Sequence, residues 1–196
     1  MAVNDNDSRV KRTKKLIRKG ITELAREKSI SRITVKELTD LIEINRGTFY
    51  LHYKDISDLV KSIEEELYRE FSEIIAEVNP KTVLEAPVNI LERFCTFVEE
   101  NSDAFIMLLG EHGDAEFVYK IGAMLADTCQ KVFESIYPDM NRERYNLAYE
   151  YCKYGAMGLL RCWLVEHPNR TPREMAELWL LLIARGAWGV IDTREN

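Results

Sequence analysis

The apolar residues of this 196-residue chain recur at helical spacing almost throughout, and this periodicity restricts the fold class more than any other feature. Near the start, Ile17, Ile21 and Leu24 fall on one helical face, and a longer stripe of the same period runs through residues 56–78. No stretch of useful length alternates apolar and polar residues with a period of two, as a half-buried strand would. Five prolines and nine glycines are scattered, too few for a turn-rich sheet protein. The sequence therefore predicts an all-α fold.

Capping patterns mark where several helices begin. Thr34 and Glu37 form a capping box, Asn45 is a good N-cap, and Thr171 and Glu174 form a second capping box with a proline at the first helical position. Pro80 and Pro87 mark a break after the fourth helix. Helices are expected from residue 9 to 28, after 34, from 45, from 55 to about 78, and over 87–100, 104–109, 116–136, 142–166 and 172–191.

The first three helices have the order and lengths of a helix-turn-helix unit, in which a longer helix precedes two short ones. We assign residues 1–54 to this DNA-binding head, with the motif itself at 33–52, and residues 55–196 to a larger helical domain. At 1.5 Å per residue the fourth helix would span on the order of 35 Å, enough to join the two domains.

Charge is distributed unevenly between these two parts of the chain. The net charge is −6, yet residues 1–54 carry 13 Lys and Arg against seven Asp and Glu. The remaining residues carry 14 basic and 26 acidic side chains. An acidic protein with a basic head is not a general polyanion binder, but its head can bind a polyanion such as DNA.

The segment NRGTFYLHYKD, residues 45–55, combines aromatic rings and cations in a way that neither a buried core nor a solvated surface requires. On a helix that starts at Asn45, Phe49 can anchor the unit while its neighbours occupy the other faces. Arginine, threonine and tyrosine side chains can donate to base edges or phosphates, and Gly47 permits close approach of the backbone. The pattern favours a helix that enters the major groove of DNA; an amphipathic helix with a decorated surface is the alternative.

Residues 33–60, ITVKELTDLIEINRGTFYLHYKDISDLV, resemble the DNA-binding signature of the tetracycline-repressor (TetR) family of bacterial transcription regulators. The TFYLHYKD core is the most specific part. The resemblance implies that the third helix enters the major groove, and that Phe49 and Tyr53 are packing residues. By position it implies these DNA contacts: Arg46, Gly47 and Thr48 at or near the bases, Tyr50, His52 and Lys54 on the backbone, and Thr34 at a phosphate-facing cap.

Four positions depart from the family's pattern. Glu43 stands where a turn glycine is common, Thr39 and Ile42 where alanines are common, and Asn45 in place of a serine. A carboxylate at Glu43 would repel phosphate if the turn lies near DNA.

The C-terminal part is expected to form a homodimer. The run LWLLLIA at 178–184 would make the last helix apolar on all its faces, so that it is buried on more than one side. The preceding helix adds apolar residues and two glycines that permit close approach: Tyr151, Tyr154, Gly155, Met157, Gly158, Leu160 and Trp163. The family resemblance implies that the last two helices pair across a twofold axis; burial within one chain is the alternative.

The resemblance also implies a small-molecule effector in the C-terminal domain that releases a repressor from its operator. Several residues are candidates to line its site, although ordinary core packing explains each of them better: Phe94, Phe97, Met107, Phe117, Met124 and Tyr151. A short GLL…W…PxE pattern from Gly158 to Glu174 resembles a branch in which some members respond to protein partners. A DNA-bound activator or adaptor controlled by a protein is therefore the alternative function.

Other classes of protein lack support in the sequence. There is no glycine-rich phosphate loop, no GxSxG and no HExxH, so an enzyme is not indicated. The four cysteines and three histidines are too widely spaced for a metal site, and we expect no metal and no cofactor. With neither a secretory signal nor an apolar run long enough to cross a bilayer, the expected location is the cytoplasm.

Overall fold

The computed structural model describes residues 5–109, 115–139, 141–166 and 169–187, and within these ranges the chain is helical with no strand. A 3-10 turn at Ile30–Arg32 follows the first helix, and a π-helical turn at Ile183–Ala187 follows the last. The α-helices are α1 (Asp5–Glu27), α2 (Val35–Leu41), α3 (Arg46–Tyr50), α4 (Ile56–Ala76), α5 (Pro80–Glu85), α6 (Pro87–Glu100), α7 (Ser102–Leu109), α8 (Ala115–Ile136), α9 (Arg142–Glu166) and α10 (Pro172–Leu182). The predicted all-α fold is confirmed.

Both predicted capping boxes are present. At the start of α2, the Thr34 hydroxyl accepts from the backbone N–H of Glu37, whose carboxylate accepts from the backbone N–H of Thr34. Thr171 and Glu174 make the same pair of bonds at the start of α10, where Pro172 takes the first helical position. Each box satisfies N–H groups that have no partner within the helix.

Helix α5 was not expected from the sequence, which we interpreted there as a break between prolines. Asn79 caps it by accepting from the backbone N–H groups of Lys81 and Thr82, and Pro80 fills its first position. The asparagine–proline pair was the available signal, since proline is well tolerated in the first turn of a helix. At the other end of the chain, α10 stops at Leu182 and a π-helical turn takes over; the predicted end at residue 191 lies outside the described residues.

By their internal contacts the residues divide into two units: Met1–Leu67 with Asp103–Ala115, and Tyr68–Ser102 with Glu116–Asn196. The first unit contains α1, α2 and α3, the first part of α4, and nearly all of α7. Its ion pairs include Arg18 Nη1 with Glu66 Oε2 at 2.7 Å and Arg26 with Asp103 at 3.7 Å. The domain boundary predicted after Lys54 was defined by the expected DNA-binding role of residues 1–54, and it stays a prediction.

The core of the first unit is built from fully buried side chains on four helices: Ile17, Ile21, Leu38, Phe49, Leu59, Ile63 and Leu67. Gly20 permits a close approach of α1 to α2, because a Cβ placed there would lie 2.8 Å from Leu38 Cδ1. Thr39, which replaces a common alanine, is also buried, and its hydroxyl is satisfied by donating to the Val35 carbonyl at 2.8 Å.

In the second unit, α6 and α10 pack closely along their lengths. Phe94 contacts Trp179 edge-on, with ring centroids 5.4 Å apart. Arg173 of α10 donates to the Glu92 carboxylate at 2.7 Å and to the Asn89 side-chain oxygen at 3.1 Å. Helices α8 and α9 meet through side chains, one of which is Tyr149, whose hydroxyl donates to the Gly122 carbonyl at 2.7 Å.

The apolar residues of α9 lie on different sides of the helix. Leu160 and Trp163 are buried, and the Trp163 indole N–H donates to the Arg170 carbonyl at 2.9 Å, so these two belong to the interior. Tyr151 is 73% exposed and therefore is not part of a core or of a sealed effector site. Of the other candidate lining residues, Phe94, Phe97, Met107 and Phe117 are buried and Met124 is half-buried.

None of the helices in the described ranges combines the length and apolar character that crossing a bilayer requires.

Replacing Glu43 with glycine is expected to stabilise the first unit. Glu43, in the turn between α2 and α3, has φ of 54°, a left-handed conformation that disfavours side chains with a Cβ. Relief of that strain, less the greater flexibility of glycine in the unfolded chain, should raise the free energy of unfolding by about 0.5–1 kcal/mol in urea titrations. Glu43→Ala is the control, because it removes the carboxylate and keeps the strain. Equal stability of the two variants would contradict this account.

Candidate nucleic-acid interface

Helix α3 is only five residues long and is held in place from both sides. The Asn45 side chain caps it by accepting from the Gly47 N–H at 2.7 Å. Phe49 has no exposed surface, and its ring packs against those of Tyr50 and Tyr53 with centroids 5.6 and 5.8 Å away. With Tyr53 also buried, the expectation that Phe49 and Tyr53 are packing residues is confirmed.

The remaining side chains of this segment are open to solvent. Tyr50 is 57% exposed, and Arg46, Gly47 and Lys54 are also exposed, while Thr48 and His52 are half-buried. Six of the seven predicted contact residues thus lie in one nine-residue segment around an anchor that is fully buried. A Cβ added at Gly47 would meet only Asn45 Oδ1, at 3.2 Å, so the outer side of the first turn is open to an approaching surface.

The two cations at the ends of this segment make no ion pair within the described ranges, unlike several others in the first unit. Arg18, Arg26 and Lys28 are each paired with a carboxylate. Across the described residues, by contrast, neither Arg46 nor Lys54 pairs with an acidic side chain. Exposed cations without internal partners are available to neutralise phosphates, which is the main source of affinity for DNA.

Lys54 is held at the start of α4 by a local hydrogen-bond pattern. Its backbone N–H donates to Asp58 Oδ2 at 2.9 Å, and the Asp58 N–H donates to Asp55 Oδ1 at 2.8 Å. The backbone is therefore fixed while the ammonium group extends into solvent. This arrangement suits a phosphate contact that is positioned by the backbone of the protein.

Thr34 is engaged differently from the other predicted contacts. Its hydroxyl donates to Glu37 Oε2 at 2.8 Å, and Lys28 Nζ lies 2.5 Å from Glu37 Oε1. The hydrogen bond from Lys28, followed by those from Thr34, lowers the pKa of Glu37 to about 2, so this carboxylate is ionised at neutral pH. The one proton that Thr34 could offer to a phosphate is already donated within the capping box. Its predicted role therefore requires that the hydroxyl exchange partners, and it stays a prediction.

Leu51 was not among the predicted contacts, although it lies within the segment. It is 81% exposed, between Tyr50 and His52. Its position two residues after the buried Phe49 places it on the opposite side of the turn, which helical periodicity could have indicated. An apolar side chain at this place can contact a thymine methyl group or the sugars of the backbone.

In the described ranges no cluster of three or more His, Cys, Asp or Glu side chains is arranged to hold a metal ion.

Comparison with known proteins gives an independent view of the chain. Residues 85–185, just over half of it, match a TetR-type family model described as a transcriptional regulator C-terminal region. This match lies outside the helix-turn-helix segment on which the resemblance was based. No curated protein matches the chain.

Several solved structures share the fold over nearly the whole chain. A TetR transcriptional regulator from Streptococcus agalactiae 2603V is 21% identical, with 91% of this chain and 97% of that one covered and a TM-score of 0.56. The fatty acid degradation regulator FadR from Bacillus halodurans is 14% identical, covering 93% and 97%, with a TM-score of 0.59. NalD, the secondary repressor of the MexAB-OprM multidrug efflux pump in Pseudomonas aeruginosa, is 17% identical, covering 91% and 97%, with a TM-score of 0.58. At these identities the likeness establishes the fold.

Proposed function

Since the chain belongs to the TetR family of transcriptional regulators, we propose that it is a repressor that binds its operator as a homodimer and is released by a small-molecule effector. The proposal that the protein binds DNA rests on segment 46–54, where exposed cations without ion-pair partners among the described residues lie on either side of a buried aromatic anchor. We place the protein in the cytoplasm, where its operator would be accessible.

In this proposal α3 lies in the major groove, whose width admits one helix. Arg46 and Thr48 reach the base edges, and Gly47 allows the backbone to approach them closely. Tyr50, His52 and Lys54 bind phosphates on the flanks, and these contacts fix the register of the head on the duplex without selecting a sequence. Base contacts from Arg46 and Thr48 then determine which operator is bound.

The proposed dimer forms through the exposed side of α9 and the end of α10. Large apolar side chains are exposed at helical spacing on α9 and continue on α10: Leu147, Tyr151, Tyr154, Val165, Leu181 and Leu182. Gly155 and Gly158 lie within this row, and a Cβ added at either would meet nothing within 4 Å. A contiguous apolar surface of this kind is unusual on a monomer, and a second copy of the same surface would cover it.

Release by an effector needs no additional chemistry. Suppose that the protein has two conformations, one of which binds DNA less tightly. A ligand that prefers this conformation increases its population, and the size of the shift is limited by the difference between the ligand's affinities for the two conformations. In a dimer the relevant change is the separation of the two heads, which must match two half-sites about one helical turn apart or a multiple of it.

The experiment that tests this proposal is capture of genomic DNA fragments by the purified protein, followed by mobility shifts with the enriched sequences. We expect the fragments to share an inverted repeat whose half-sites are separated by about one helical turn. A shuffled repeat of the same composition is the control for sequence-independent binding. Fragments with no common sequence, bound no better than the shuffled DNA, would contradict the proposal.

A further inference from the structure

One buried hydroxyl group in the second unit lacks a hydrogen-bond partner. Tyr145, in the first turn of α9, is 5% exposed, and its hydroxyl oxygen is sealed from solvent without a donor or acceptor in the described part of the chain. Buried polar groups are nearly always paired, so an unpaired one calls for a specific explanation.

Tyr149, one turn further along α9, provides a direct comparison. The two rings stack with centroids 6.2 Å apart, but the Tyr149 hydroxyl donates to the Gly122 carbonyl of α8 at 2.7 Å. Phe133 of α8 contacts the Tyr145 ring at 5.6 Å. Of these two stacked tyrosines, Tyr149 therefore has a hydrogen-bond partner for its hydroxyl and Tyr145 has none among the described residues.

Helices α8 and α9 meet around this hydroxyl through large side chains. Phe133 of α8 contacts the Tyr145 ring, and the Tyr149 hydroxyl reaches the Gly122 carbonyl of α8. Side chains in such a layer can change rotamer to admit a small molecule while the backbone hydrogen bonds of both helices stay intact.

The groups around the Tyr145 hydroxyl are neutral. Burial raises the pKa of Tyr145, and the adjacent Cys129 thiol adds to the rise. Burial likewise raises the pKa of Cys129 to about 11 and that of Cys152 above its usual value. At neutral pH the phenol is therefore a hydrogen-bond donor in surroundings of rings and thiols. The charge of the Glu134 carboxylate also raises this pKa; Glu134 is paired with Arg142 at 2.8 Å and would repel an anion.

We propose that the cluster of Phe133, Tyr145 and Tyr149 with Cys129 and Cys152 binds a neutral, largely apolar carbonyl compound, whose oxygen accepts the Tyr145 hydrogen bond. A buried water is a poorer occupant, because it needs two to four polar partners and the cluster offers few. A ketone or ester oxygen needs only one donor, and the rest of the molecule would pack against the rings.

This inference deepens the proposed function, on which it rests, by naming the chemical class of the effector and the residue that recognises it. The cluster also has a route to the dimer, since α9 carries Tyr145 on one side and the exposed Tyr151 and Tyr154 on the other. A ligand that enters between α8 and α9 moves the helix on which the proposed dimer surface lies.

The first test compares Tyr145→Phe with Tyr149→Phe in the free protein. Tyr149→Phe removes a made hydrogen bond and should lower Tm by about 2–4 °C. Tyr145→Phe removes a hydroxyl without a partner and should leave Tm unchanged or raise it. Equal losses in the two variants would show that the Tyr145 hydroxyl is bonded in solution and would overturn the proposal.

The second test uses matched pairs of a ketone and its hydrocarbon: acetophenone with ethylbenzene, benzophenone with diphenylmethane, and 2-decanone with decane. Binding is followed by 19F NMR of protein labelled with fluorotyrosine, in which the Tyr145 resonance is identified by its loss in Tyr145→Phe. At least one ketone should shift this resonance and bind more tightly than its hydrocarbon. Tyr145→Phe should weaken binding of that ketone about three- to tenfold and leave hydrocarbon binding unchanged. If no ketone shifts the resonance, or if the variant keeps the preference, the proposal fails.

Both tests are made without DNA, so their failure is distinct from failure of the proposed regulator. Operator binding with no ketone response at Tyr145 would leave the regulator in place and remove this site. A ketone response in a protein that selects no DNA sequence would do the reverse.

Discussion

Phe49→Ala is expected to destabilise the DNA-binding head, with a loss of about 3–5 kcal/mol in the free energy of unfolding. Phe49 has no exposed surface, and its ring is the contact around which Tyr50 and Tyr53 are arranged. Truncation leaves a cavity in the small core formed where α1, α2 and α3 meet. A loss of this size is a large part of the 5–15 kcal/mol that typically stabilises a whole domain. Urea denaturation followed by circular dichroism measures it, and specific operator binding should be lost with it.

The matched control is Tyr50→Ala, which removes an aromatic ring one position away. Because Tyr50 is 57% exposed, its truncation should change the free energy of unfolding by about 0.5 kcal/mol or less. Operator binding should nevertheless weaken, since Tyr50 is on the proposed DNA face. If Phe49→Ala were as stable as the wild type, or Tyr50→Ala as damaging to the fold, the assignment of the two faces of α3 would be wrong.

The second large effect is expected from Tyr151→Glu combined with Tyr154→Glu. Two carboxylates on the exposed side of α9 would have to be buried against each other in a dimer, at a cost that such an interface cannot offset. The double variant should be monomeric in analytical ultracentrifugation. Because linkage of two heads raises the operator affinity by about 10²–10⁴-fold, that gain should be lost.

A control for this experiment lies on α8, where Tyr119 is exposed at 75%. Tyr119→Glu introduces the same type of charge at an exposed tyrosine outside the α9 and α10 row, and both dimer and operator affinity should be retained. A double variant of α9 that remained dimeric would show that the apolar row is covered by something other than a second copy.

The local features of the head could be predicted from the sequence because they depend on neighbouring residues. A capping box needs only Thr34 and Glu37, three positions apart, and the cap of α3 needs only Asn45. The burial of Phe49 and Tyr53 follows from helical periodicity within a single segment, as does the position of the exposed Tyr50. Such patterns are set within one or two turns of helix, so tertiary packing has little opportunity to override them.

Features that depend on packing between helices could not be obtained in this way. The composition of α9 indicates many apolar faces, but only its neighbours decide that Leu160 and Trp163 point inward while Tyr151 points outward. The unpaired hydroxyl of Tyr145 likewise depends on how α8 and α9 pack, which no residue pattern encodes. The hydrogen bond from the Thr34 hydroxyl to Glu37 could have been predicted from the capping pattern, because the carboxylate that accepts from the backbone N–H can also accept from the hydroxyl.

The proposal that the exposed face around α3 lies against DNA is tested by the salt dependence of operator affinity for Lys54→Ala. The control is Lys131→Ala, which makes the same change in net charge. Lys131 lies in the second unit and pairs with Asp127 at 2.6 Å. Loss of one phosphate contact should weaken operator binding and reduce the slope of log K against log salt by about one for Lys54→Ala, and Lys131→Ala should match the wild type. Identical slopes in all three proteins would contradict the claim, because Lys54 would then make no contact with the duplex.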